Sequence, residues 1–66
     1  MKNHLETMRK ARNISQEELA GALEVSRQTI ISLEKGRYNP SITLAFKLAR
    51  YFGVTIEELF VFDEED

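Results

Sequence analysis

The chain has 66 residues, 42% of them apolar and 30% charged, with one Pro, three Gly, no Cys and a formal net charge of −2. That length and balance predict one small globular domain over 1–66, and they exclude a disordered chain, a disulfide framework and a thiolate metal site. No apolar run approaches the ~18 residues of a membrane span, and the N-terminus lacks the apolar core of a signal peptide, so a soluble, cytoplasmic chain is expected.

Leu5, Met8 and Ala11, with Ile14 just beyond, keep the spacing of one helix face, which predicts a helix over about 4–12. Asn13 stands where that helix would stop. Ser15-Gln16-Glu17-Glu18 has the pattern of a capping box, in which the Ser15 hydroxyl serves first-turn amides and Glu18 reaches back. The helix behind it puts Leu19, Ala20 and Leu23 on one face. Gly21 inside that helix costs up to ~1 kcal/mol relative to Ala, which predicts a close approach by another backbone there. Glu24-Val25-Ser26 reads as a tight turn, with Ser26 capping a third helix over 27–35 that turns Ile30 and Leu33 inward. Gly36 fits its left-handed end.

Arg37-Tyr38-Asn39-Pro40 is a loop, because Pro40 pushes Asn39 out of helical geometry. Ser41 caps a fourth helix of about 42–52, with Leu44, Ala45, Leu48, Ala49 and Phe52 as its apolar stripe and Gly53 as its end. Thr55-Ile56-Glu57-Glu58 is a second capping box and starts a short fifth helix of about 56–60. Phe60-Val61-Phe62 has strand-forming residues and runs into Asp63-Glu64-Glu65-Asp66.

The acidic end hides a basic body. Four of the eleven acids lie in the last four positions, so residues 1–62 carry nine basic and seven acidic groups. Arg9, Lys10 and Arg12 fall together, as do Arg27, Lys35 and Arg37. Clustered cations are either a footprint for phosphate or a solvated face. The pairs Glu17-Glu18 and Glu57-Glu58 lie in the first turns of helices, where capping and the helix dipole explain them. With no nucleophile set, phosphate loop or metal cluster in the pattern, neither an enzyme nor a cofactor is expected. His4 reads as a surface or strand-end residue.

The segment 16–35 joins two helices by a three-residue turn, too short for a relaxed antiparallel pair, which predicts a steep crossing with Ala20 at the contact. With I-S-Q-E-E-L-A at 14–20, V-S-R-Q-T-I at 25–30, L-E-K-G-R-Y-N-P-S at 33–41 and F-G-V-T-I-E-E-L-F at 52–60, the chain resembles the Xre-type, lambda-repressor-like helix-turn-helix proteins over 5–60. The sequence departs from them at Glu24, where the family usually carries Gly. A left-handed residue is expected there, at some strain.

The resemblance implies an all-α, five-helix DNA-binding domain whose helix 27–35 enters the major groove. Its outward face carries Arg27, Gln28, Ile31, Ser32 and Lys35. Arg suits bidentate contact with guanine and Gln with adenine. Arg27 and Gln28 can equally be solvent-facing helix formers. Ile31 is expected to be exposed and to meet a thymine methyl, the alternative being a packed neighbour. Ser32 completes the base-reading set. In similar proteins the residue at Gln16 contacts phosphate and braces Gln28 or Arg27; otherwise it is a plain capping residue. Thr29 is placed near a phosphate or base edge. Lys35, Arg37, Tyr38 and Asn39 form a second phosphate clamp, with Tyr38 in the core as the alternative. Arg9 and Arg12 flank the DNA backbone or pair with Glu6 or Glu17, the latter favoured for Arg12.

The family most often binds as a two-fold dimer on a near-palindromic site, and the dimer surface is expected from the fifth helix and the tail 60–66, through Phe60, Val61 and Phe62. By analogy with very small members, Lys2–His4 is expected to pair with Val61–Asp63 in a two-stranded sheet. The alternative is a tail packed on its own core. The function implied is a homodimeric transcriptional regulator with double-stranded DNA as partner and no small-molecule effector domain; it is read as a repressor, although the resemblance does not itself give the sign of regulation. A competing reading is an antitoxin or accessory module that uses this fold to hold another protein.

Overall fold

In the computed structural model, which describes residues 1–61, five helices follow in order: α1 Leu5–Ala11, α2 Gln16–Leu23, α3 Arg27–Glu34, α4 Ile42–Phe52 and α5 Ile56–Leu59. Side-chain caps fix four of the five starts. Ser15 Oγ accepts from Glu18 N at 2.9 Å, while Glu18 Oε1 accepts from Ser15 N at 3.1 Å. Thr55 and Glu58 repeat the box at 3.1 and 3.0 Å. Ser26 accepts from Thr29 N and Ser41 from Leu44 N, each at 3.1 Å. Each bond satisfies a first-turn amide that the helix itself leaves open.

The ends are equally regular. Asn13 (φ 56°), Glu24 (φ 59°), Gly36 (φ 72°) and Gly53 (φ 68°) are all left-handed, and the residue after each donates back five positions. Those bonds run from Ile14 N to Arg9 O, Val25 N to Ala20 O, Arg37 N to Ser32 O and Val54 N to Ala49 O. This is the Schellman closure, which reverses the chain while pairing terminal carbonyls. Glu24 thus takes the expected strained conformation, without a glycine's freedom to do so.

Leu5, Leu19, Ile30, Leu33, Leu48 and Leu59 are fully buried, and Ala20, Leu23, Leu44, Ala45, Phe52 and Phe60 join them in one core. Ala20 lies in it as the steep α2–α3 crossing requires. Two expectations fail. Ala11 is exposed and Met8 only half-buried, so the apolar face of α1 is narrower than its spacing implies. Gly21 is exposed with nothing within 4 Å of where a Cβ would stand, so no backbone approaches it.

The ends of the described chain meet in a single antiparallel bridge, Asn3 opposite Phe60, with His4 N donating to Leu59 O and Val61 N to Lys2 O, both at 2.9 Å. The register is two residues earlier than the expected Lys2–His4 with Val61–Asp63, because α5 ends at Leu59 and Phe60 turns into the core. Phe62, Asp63 and the rest of the acidic end lie outside the described residues. Asn3 is a joint in its own right. Its Nδ2 donates to Leu33 O at 2.7 Å and its Oδ1 accepts from Leu5 N at 3.0 Å, so one side chain closes the end of α3 and opens α1. The Met1 amino group donates to Gly36 O at 2.9 Å.

A buried polar network orients α3. Arg9 donates through Nε and Nη2 to the two oxygens of Glu34, at 2.6 and 3.2 Å, and through Nη1 to Ile14 O at 2.9 Å. Gln16 Nε2 donates to Glu34 Oε1 at 3.0 Å. The Glu34 side chain is 4% exposed. Hydrogen bonding to Glu34 raises the Arg9 pKa above its ordinary value against the opposing effect of burial. Arg9 therefore pairs neither with Glu6 nor with Glu17: Lys10 takes Glu6, at 3.4 Å. Arg12 differs from expectation too. It donates to Tyr51 O and Phe52 O at 3.0 and 2.8 Å, with its guanidinium 5.0 Å from the Phe52 ring centre. The C-terminal carbonyls of α4 offer it the negative end of a helix dipole, and an aromatic face completes the seat.

Chemical denaturation should separate these contributions. Leu48→Ala is expected to lose about 2–5 kcal/mol through its cavity, while Gly21→Ala gains up to ~1 kcal/mol and Glu24→Gly about 1 kcal/mol from relieved left-handed strain. Glu34→Ala strands Arg9 and should lose about 3–5 kcal/mol, whereas the apolar exchange Arg9→Met/Glu34→Leu should recover most of that loss. Hydrogen bonds within the Thr55 box draw the Glu58 carboxyl below its ordinary pKa. The box should then be fully stabilising above the ordinary carboxylate value and lose its contribution as pH falls through the lower folded value. A carboxyl-resolved NMR titration would show the depressed midpoint, and Glu58→Gln should remove that part of the pH dependence of stability.

Candidate nucleic-acid interface

Folding of α3 spends Ile30 and Leu33 on the core and leaves its other face to solvent. Arg27, Gln28 and Lys35 are exposed, while Ile31 and Ser32 are half-buried. Ile31 is thus less open than its position predicts, a part of its surface being covered by the fold. The first turn of α3 contains no acid, whereas those of α2 and α5 each contain two glutamates. An arginine at the positive end of a helix runs against the helix dipole and gains nothing for stability there. The amides and the guanidinium together make that end a seat for an anion or for base-edge acceptors. The acid of α3, Glu34, is at the other end, buried and neutralised by Arg9.

Thr29 is half-buried and its hydroxyl stands 2.9 Å from Ser26 Oγ, so it closes the N-terminal turn as well as facing outward. Gln16 lies on the same side of the molecule as the end of α3, where it bonds to Glu34 rather than to Gln28 or Arg27. Its amide satisfies the buried carboxylate, a demand that sequence spacing does not reveal.

Beyond α3, Arg37 and Asn39 are exposed and Tyr38 is 40% exposed, so Tyr38 belongs to the surface and not to the core. The Schellman turns give Arg37 a particular meaning. After the other three left-handed residues come Ile14, Val25 and Val54, each packed on the core, as an apolar residue at this position usually does. After Gly36 comes an exposed arginine. Its backbone is fixed by the bond to Ser32 O at 3.1 Å, and its charge is held where folding has no use for it.

Thr29 and Tyr38 line a cleft of about 280 Å³ beside the α2–α3 turn, together with Thr43 and Lys47 of α4. Neither Thr43 nor Lys47 stands out in the sequence. Only their spacing of four within one helix, opposite the apolar stripe, marks them as sharing an outer face. Phe60, expected at a dimer surface, instead packs in the chain's own core at 7% exposure, which leaves Val61 as the exposed apolar residue of the described tail. Phe62 is outside the described residues. Among the described residues no helix is long and apolar enough to cross a membrane, and no three His, Asp or Glu gather as a metal site.

The helix-turn-helix family matches residues 5–59. An uncharacterized HTH-type transcriptional regulator of Methanocaldococcus jannaschii is 53% identical over 66 residues, covering all of both chains. The cryptic phage CTXphi transcriptional repressor RstR of Vibrio cholerae is 38% identical over 52 residues, which are 79% of this chain and 47% of that one. Among solved structures, the restriction-modification controller protein C.AhdI of Aeromonas hydrophila superimposes with a TM-score of 0.75 at 34% identity, over 85% of each chain. The family, the motif geometry and the five-helix order agree: the chain belongs to the Xre-like helix-turn-helix family of DNA-binding transcriptional regulators.

Proposed function

We propose that the chain is a sequence-specific repressor that binds a near-palindromic operator as a homodimer, with α3 in the major groove. The observation that carries this reading is the first turn of α3, where exposed Arg27 and Gln28 stand on an acid-free helix N-terminus while Glu34 is buried and neutralised. Arg27 and Gln28 then read guanine and adenine edges, and Ile31 offers its uncovered part to a thymine methyl, with Ser32 beside it. Gln16, Thr29, Lys35, Arg37, Tyr38 and Asn39 hold phosphates on either side of the helix. Two reading helices about 34 Å apart would meet successive major grooves on one face of the duplex. The repressor assignment is supported by the Vibrio cholerae relative, which is named as one.

Selection from a random duplex library, with the winning site then titrated at several salt concentrations, tests the reading. A near-palindrome with half-sites one helical turn apart is expected. Absence of enrichment, with binding that vanishes near physiological salt, would instead favour a module that holds another protein. On the selected site, Arg27→Ala should cost ~1–3 kcal/mol and relax preference at one base position, whereas Arg37→Ala should weaken all sequences alike and reduce the salt slope by about one. Equal effects of both substitutions on every sequence would contradict the assigned roles.

A further inference from the structure

Two neighbouring residues on the outward face of α3 have no task in the fold. Ile31 is half-buried, yet it belongs neither to the core nor to the half-buried apolar residues packed against that core. A β-branched side chain inside a helix also loses rotamer freedom, so folding gives no reason for an isoleucine there. Ser32 is half-buried beside it. Ser15, Ser26 and Ser41 each cap a helix through the side-chain oxygen, whereas the Ser32 hydroxyl makes no hydrogen bond among the described residues. That hydroxyl is not sealed from water, since no fully buried side-chain oxygen among the described residues lacks a partner. An aliphatic group and a free hydroxyl thus stand side by side, about one turn after Arg27.

In the major groove a pyrimidine shows two features, the substituent at C5 and the exocyclic group at C4. The thymine C4 oxygen accepts a hydrogen bond, and the cytosine C4 amino group donates one. A serine hydroxyl does either, so Ser32 does not tell the two apart. Ile31 has no polar atom and responds only to whether C5 bears a methyl. Together they select for the methyl and tolerate either base beneath it. Thymine always carries that methyl, whereas cytosine carries it only once it has been methylated. Arg27 precedes Ile31 by four positions on the same face, where Cβ atoms lie ~5–6 Å apart. Successive base pairs are ~3.4 Å apart, so the guanine read by Arg27 is a neighbour of that pyrimidine.

We infer that Ile31 and Ser32 make DNA binding responsive to cytosine methylation: the half-site holds a guanine next to a pyrimidine with a C5 methyl, and 5-methylcytosine replaces thymine there while cytosine does not. This rests on the operator reading above, with α3 in the major groove, and adds to it a chemical state of the DNA that the protein senses.

Fluorescence-anisotropy titration of the duplex recovered by random selection tests it, first with changes made in the DNA alone. Replacing the thymine beside the guanine by uracil removes one methyl and should weaken binding roughly fourfold per half-site, as for one methyl-sized group buried. Cytosine paired with guanine at that position should weaken binding at least as much, and 5-methylcytosine should restore it. Ile31→Ala should abolish both methyl effects, with an unchanged far-UV spectrum because position 31 is outside the core. Ser32→Ala should weaken the thymine and 5-methylcytosine sites alike and keep the methyl effects. A uracil site as tight as the thymine site, a 5-methylcytosine site no tighter than its cytosine counterpart, or methyl effects that survive Ile31→Ala would each overturn the assignment. A selected site that is blind to the methyl would sink this inference and leave the operator reading intact. Failure to select any site would sink both.

Discussion

Glu34 ends α3 with a carboxylate that is nearly withdrawn from water, at the end of the helix where negative charge is least favoured. It is tolerable only because Arg9 meets both of its oxygens and Gln16 one of them. Arg9 comes from the last turn of α1 and Gln16 from the first turn of α2, so three helices are fixed relative to one another by one carboxylate. Apolar packing alone tolerates small rotations of a helix. A bidentate pair with set donor and acceptor directions tolerates far fewer, and the direction of α3 decides where Arg27 and Gln28 point.

Around that joint the chain repeats one local device four times. A left-handed residue follows each of α1 to α4, and the amide of the next residue is drawn back to a carbonyl five positions earlier. At α1, α2 and α4 the following side chain is Ile14, Val25 or Val54, so closing the helix and packing the core are a single event. At α3 the same backbone places Arg37 outward. A structural turn has been kept and its side chain released from the core, which puts a cation on a rigid frame without a dedicated loop.

Much of this is visible in the amino-acid order because it is local. The boxes at Ser15–Glu18 and Thr55–Glu58, the caps at Ser26 and Ser41, the stripe of α4 and the strain at Glu24 depend on residues within a few positions of each other. What sequence spacing misreads depends on partners far along the chain. Arg9 passes for a surface cation because Glu34 lies 25 residues away. Arg12 seats on carbonyls 39 and 40 residues distant. Gly21 has no neighbour to explain it, and Phe60 enters the core because α5 is one residue shorter than its apolar pattern implies. The likeness of residues 14–41 to one family supplies the direction of α3, but the half-burial of Ile31 and the bond between Gln16 and Glu34 are set by packing that no motif records.

Under the proposed role of Gln16 at a phosphate, its bond to Glu34 bears on the thermodynamics of DNA docking. The Gln16 amide nitrogen carries two hydrogens, and Glu34 takes one of them. The side chain is therefore held against Glu34 in the free protein, with one amide hydrogen unused by that bond. Loss of rotamer freedom, ordinarily charged against an interface as it forms, has here been incurred during folding. In the proposed complex Gln16 would then contribute a phosphate contact with little entropic opposition, and a variant that frees it from Glu34 would bind with a less favourable entropy.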